Sequence, residues 1–159
     1  MTGERKPRVY LQTEFSESQG QVSPDGNYLA YNSNDTGRFE VYVRPFPDAA
    51  RGRWQISTEG GLHPNWSRDG KELYYAGLNR GIVVALIRLG PGASPSVEVG
   101  TQKALVSPET MGAGSGLTNV RYEVGPDGRL LLIVFEEGRD PLTVTLNWAA
   151  GRAPQTTPR

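Results

Sequence analysis

Ser23-Pro24-Asp25-Gly26 returns as Ser67-Arg68-Asp69-Gly70 and again as Gly125-Pro126-Asp127-Gly128, each copy lying between two apolar runs. Gln21-Val22 precedes the first copy and Tyr28-Leu29-Ala30-Tyr31 follows it. Asn65-Trp66 and Leu73-Tyr74-Tyr75-Ala76 flank the second, and Tyr122-Glu123-Val124 and Leu130-Leu131-Leu132-Ile133-Val134 the third. The chemistry is that of a tight turn. Proline presets φ at the first corner, Asp folds its carboxylate onto backbone N–H groups two residues on, and Gly takes the φ > 0 position. Asp-Gly between β-rich runs is a hairpin signal. Asp25, Asp69 and Asp127 can also be read as catalytic acids or metal ligands, but turn formation with Gly26, Gly70 and Gly128 accounts for all three at once.

The rest of each unit recurs as well. A polar turn follows the second strand at Asn34-Asp35-Thr36-Gly37, Leu78-Asn79-Arg80-Gly81 and Glu136-Glu137-Gly138-Arg139-Asp140. A third strand is predicted at Phe39–Val43, Ile82–Ile87 and Leu142–Leu146, and a fourth at Trp54–Ser57 and Gln102–Val106. Four short antiparallel strands in a repeat of roughly 40–45 residues are the arithmetic of a β-propeller blade. The predicted fold is all-β, a propeller fragment of about three four-stranded blades.

Asn65-Trp66-Ser67-Arg68-Asp69-Gly70-Lys71-Glu72-Leu73-Tyr74-Tyr75 resembles the blade signature of TolB-like, WD-repeat-like propellers. With Glu17 to Gly26 and Glu40-Val41-Tyr42-Val43-Arg44-Pro45-Phe46-Pro47, the chain is similar to the C-terminal propeller half of bacterial signalling proteins. Those proteins often carry a serine/threonine kinase or DNA-binding domain upstream. Leu142 to Trp148 resembles the end of such chains, and the likeness covers about residues 6–150. Gly125, where the family has Ser, departs from the pattern, and no kinase or DNA-binding segment is present in the sequence. The resemblance speaks to fold; function belongs to sites.

Composition supports this layout. The 159 residues include 20 Gly and 12 Pro, and no long 3.6-residue apolar stripe appears, so little helix is expected. Residues 1–8 read as disordered or a linker. Residues 9–58 read as a closing strand (Val9-Tyr10-Leu11) of a preceding blade plus blade one, and 59–107 as blade two. Residues 117–148 read as an incomplete blade three, and 149–159 as a disordered tail. Lys plus Arg and Asp plus Glu are both 17, which argues against a nucleic-acid surface spread over the domain. Without cysteine there is no disulfide framework and no Cys-based zinc site. Met1 to Arg8 has no apolar core of a signal peptide, and no run is long enough for a membrane helix. The expectation is a soluble chain in cytoplasm or periplasm, with no membrane partner.

Ser23 to Ser67 is 44 positions and Ser67 to Gly125 is 58, the excess lying in Gly90–Ser96 and Met111–Gly116. Met111-Gly112-Ala113-Gly114-Ser115-Gly116 lacks the Gly-Lys-Ser/Thr ending of a phosphate loop and reads as an inter-blade connection. Arg51-Gly52-Arg53 reads as a solvated basic turn. His63 is the sole histidine, so a His-based metal centre would need carboxylates for its other ligands. Gly-x-Ser-x-Gly fails around Ser115 because residue 113 is Ala. No catalytic residue, metal site or cofactor is predicted. At the start of an inner strand, His63 falls near the mouth of a central channel, and Arg38 and Arg44 join it as candidate ligand- or partner-binding residues.

Three blades cannot close a ring, since propellers have at least about four. The chain is therefore expected to be part of a longer propeller, to pair with a second copy in a six-bladed ring, or to be a partly folded truncation. The expected function is a non-catalytic binding or sensing module for a protein, a peptide or another ligand in a signalling protein. The alternative class is a hydrolase or peptidase-associated propeller with its site at the channel.

Overall fold

The computed structural model describes residues 6–111, 121–134 and 143–145. Strands β1 (Glu17–Val22), β2 (Tyr28–Ser33), β3 (Glu40–Pro45) and β4 (Trp54–Gln55) form one antiparallel sheet in that order. β5 (Gly61–Trp66), β6 (Glu72–Gly77), β7 (Gly81–Leu89) and β8 (Val97–Val106) form a second sheet in the same way. β9 (Arg121–Val124), β10 (Leu130–Val134) and β11 (Thr143–Thr145) form a third, with β10 central. The protein is all-β, built of consecutive antiparallel meanders. The turn at Glu136–Asp140, residues 112–116, Trp148 and the tail from Gly151 lie outside the described residues.

All three turns form as the sequence predicts. Gly26, Gly70 and Gly128 adopt φ of 75°, 70° and 76°. Their N–H groups donate to the carbonyls of Ser23, Ser67 and Gly125 at 2.9, 3.0 and 2.9 Å. Each Asp accepts the N–H two residues on, from Asn27, Lys71 and Arg129, at 3.1 Å in every case. In the first two turns the serine hydroxyl also donates to Asp25 or Asp69 and accepts the N–H of Tyr28 or Glu72.

Gly125 has no hydroxyl to make that pair of bonds, and its turn is one residue shorter. The flanking residues pair as Val22 with Leu29 and Trp66 with Leu73, but as Val124 with Leu130. A one-residue slip turns every side chain of a strand to the opposite face. Leu130 is accordingly buried at 2% exposure while Leu131 stands at 37%. The run Leu130–Val134 is apolar at every position, so either face can be buried.

The second sheet is the central layer. Leu73, Tyr75, Val83, Ala85 and Ile87 on one face pack with Tyr28, Ala30, Val41, Val43 and Ile56 of the first sheet. Tyr74, Ala76, Ile82 and Val106 on the other face pack with Tyr122, Leu130 and Leu132 of the third, joined by Met111. This two-sided burial explains why β6 is apolar or aromatic from Leu73 to Ala76 rather than alternating.

The outer face of the first sheet is finished with polar-tipped aromatics. Tyr31 and Tyr42 lie with ring centroids 5.8 Å apart. Arg44 donates to the Tyr31 hydroxyl at 2.8 Å, and the Arg53 guanidinium lies 3.9 Å above the Tyr42 ring while ion-paired to Asp35. The strand predicted at Val9–Leu11 is not formed. Instead the Tyr10 hydroxyl donates to the Pro45 carbonyl at 2.6 Å and its ring meets Phe46, an anchorage that needs no strand pairing. The basic turn is exposed, as its solvated reading expects, and Arg51 also donates to the carbonyls of Gly92 and Ala93 at 2.7 and 2.8 Å.

Candidate binding cleft

The first strands of the two four-stranded sheets, β1 and β5, share an irregularity that the sequence does not announce. Their registers break between Ser18 and Gln21 and between Leu62 and Asn65. Inside these bulges Gln19 and His63 adopt φ of 57° and 55°, a region that non-glycine residues rarely occupy. The two are 44 positions apart, the same offset as Ser23 and Ser67, so the bulge is a feature of the repeat. Bulges re-aim side chains and break pairing, and backbone outliers of this kind gather at functional sites.

The bulges are fastened to each other. The Gln19 amide oxygen accepts the His63 backbone N–H at 2.8 Å, and its nitrogen lies 2.8 Å from His63 Nδ1. The Tyr122 hydroxyl donates to the His63 carbonyl at 2.6 Å, and Trp66 Nε1 donates to the Gln21 carbonyl at 3.1 Å. Burial raises the Tyr122 hydroxyl well above its ordinary pKa, with the neighbouring Glu123 and Tyr74 adding to the effect. It stays a neutral donor and holds β9 to β5.

Between these strands lies a cleft of about 540 Å³ lined by Gln19 to Gln21, His63 to Asn65, Tyr122, Glu123, Leu131 and Ile133. Gln21, Asn65 and Glu123 are corresponding positions, each one residue before the Val22, Trp66 or Val124 that enters a turn. Among the described residues, the side chains of these three make no hydrogen bond or ion pair. The cleft thus presents two carboxamides and a carboxylate from three successive sheets, above an apolar wall of Leu131 and Ile133.

The other predicted site residues are placed elsewhere. Arg38 donates to Glu40 at 2.7 Å and to the Thr58 carbonyl, and Arg44 bonds Tyr31 and the Ala49 carbonyl; neither lines the cleft with His63. Asp25 and Asp69 line a second cleft of about 670 Å³ at the turn end, with Leu86 and Val99. Its charges already have partners: Lys71 with Asp69 at 3.8 Å, Arg88 with Glu98 at 2.9 Å, and Asp25 with its own turn. Among the described residues no group of three or more His, Asp or Glu stands where it could hold a metal ion. No helix there is long and apolar enough to cross a membrane. Gln19, Gln21, Asn65, Tyr122 and Glu123 escaped the sequence reading, although the 44-residue offset linking Gln19 to His63 and Gln21 to Asn65 was available to find them. No protein-family model matches the chain, and no curated protein matches it.

Proposed function

We propose that the three sheets are blades of a TolB-like β-propeller and that the chain is a non-catalytic binding module whose peptide or protein partner enters the cleft between β1, β5 and β9. One observation carries this reading. Corresponding positions of three successive units, Gln21, Asn65 and Glu123, converge on one cleft with their polar groups unengaged among the described residues. Packing supports the blade arrangement, since each sheet lies face to face with the next while the innermost strands stay in contact. The likeness to propeller halves of kinase-type signalling proteins adds a role in signalling. Further blades complete the ring, from a longer chain or from a second copy. A blade docking on the first sheet has to cover Tyr31, Tyr42 and Arg44, whose polar groups are already paired.

Selection of binders from a random linear-peptide library tests this reading. Peptides selected on the chain are re-measured against a Gln21→Ala/Asn65→Ala double variant. Two lost hydrogen bonds at about 1 kcal/mol each predict roughly thirtyfold weaker binding. Peptides that bind the double variant as well as the parent chain contradict it.

A further inference from the structure

The cleft is not symmetric in charge, and the asymmetry says what its occupant carries. At the repeat position where the first two units place the neutral amides Gln21 and Asn65, the third places the carboxylate of Glu123. Glu123 is exposed, lines the cleft and is ion-paired to none of the residues whose side chains are described. Among the residues whose side chains are described, no Lys or Arg lines the cleft. Among the described lining side chains the other ionisable groups are His63 and Tyr122, the latter a neutral hydroxyl directed at the His63 carbonyl. An exposed carboxylate beside an apolar wall favours a cation on whatever binds there. The two carboxamides match a different part of the same ligand. A side-chain amide offers one acceptor and two donors, which is the complement of a peptide group. Gln21 and Asn65 therefore suit backbone amides and leave side-chain choice to Glu123.

We infer that the cleft takes a polypeptide segment bearing a lysine, arginine or free amino terminus, with Glu123 as the residue that selects the positive charge. This rests on the binding reading above, and the same library separates the two. The parent chain is expected to enrich peptides carrying Lys or Arg. Their affinity is expected to fall about tenfold to a hundredfold in Glu123→Gln, the range for a charge-assisted hydrogen bond. Glu123→Lys is expected to enrich acidic peptides instead, a reversal that a misfolded variant would not produce. If the selected peptides carry no excess of basic residues and bind Glu123→Gln unchanged, the charge selection is overturned. In that event, continued sensitivity to Gln21→Ala/Asn65→Ala leaves the cleft reading standing. Insensitivity to both sets of variants refutes both.

Discussion

Glu40 is the most demanding polar residue of the first sheet, and its replacement by alanine gives a sharp test of how that sheet is held. Its side chain is 1% exposed and anchors the end of β3 to the connection leading into the second sheet. The carboxylate accepts from Arg38 at 2.7 Å, from the Ser57 hydroxyl, and from the Gly60 N–H at 3.0 Å to both oxygens. Glu40→Ala removes the acceptor and leaves the buried Ser57 hydroxyl and Gly60 N–H without their partner. Each stranded donor costs roughly 1–3 kcal/mol, so the predicted loss is about 3–5 kcal/mol. Arg38 is half-exposed, and solvent can replace much of its contribution, so Arg38→Ala is predicted to cost only about 1–2 kcal/mol. Urea unfolding reads both values, with Trp66, which is 7% exposed at the interface of the first two sheets, as the fluorescence reporter. A loss under about 1 kcal/mol for Glu40→Ala would refute the reasoning, because surface substitutions lie in that range.

Three further outcomes follow from the turns and the core. Gly26→Ala meets no atom within 4 Å, so its cost is purely conformational, about 1–2 kcal/mol for a left-handed residue, and thermal unfolding should show it. Leu73→Ala, at 0% exposure between the first two sheets, should lose about 2–5 kcal/mol in the same urea assay. Burial pushes the Asp25 carboxyl up, but bonds from Ser23 and Asn27 outweigh it and its pKa lies below the ordinary value. Its stabilisation is thus fully present above about pH 4 and lost as pH falls through the lowered value, so Asp25→Asn should flatten the acid limb of a stability profile. An unchanged acid limb would contradict that assignment.

Turn chemistry is local, and this is why the sequence revealed it: the Asp, its acceptor role and the left-handed Gly lie within a few residues at each site. Strand segments next to those turns were legible for the same reason, whereas the polar first part of β1 and the Val97–Thr101 part of β8 were not, and the strand expected at Val9–Leu11 did not form. The bulges at Gln19 and His63 were not, because nothing about Gln or His favours positive φ; a tertiary bond between the two holds them there. The slipped register of β10 was hidden by its own uniformity, as Leu130–Val134 fits either face. Arg38 and Arg44, candidate binding residues in the sequence, are engaged by groups brought to them across strands and turns, the Thr58 carbonyl and the Tyr31 hydroxyl, with Glu40 two residues from Arg38 adding to its hold. His63 lies at the third position of β5, inside the bulge, and the polar groups that open to the cleft beside it belong to Gln21, Asn65 and Glu123, which correspond to one another and not to His63.

The central claim is that corresponding positions of three units face one cleft. The chain has no cysteine, so pairs of cysteines introduced at Gln21 and Asn65, and at Asn65 and Glu123, can be spin-labelled cleanly. Facing sheets lie about 10 Å apart, close enough for strong dipolar broadening of the electron paramagnetic resonance spectrum. Broadened spectra from both pairs are predicted. Sharp, uncoupled spectra from either would contradict the claim.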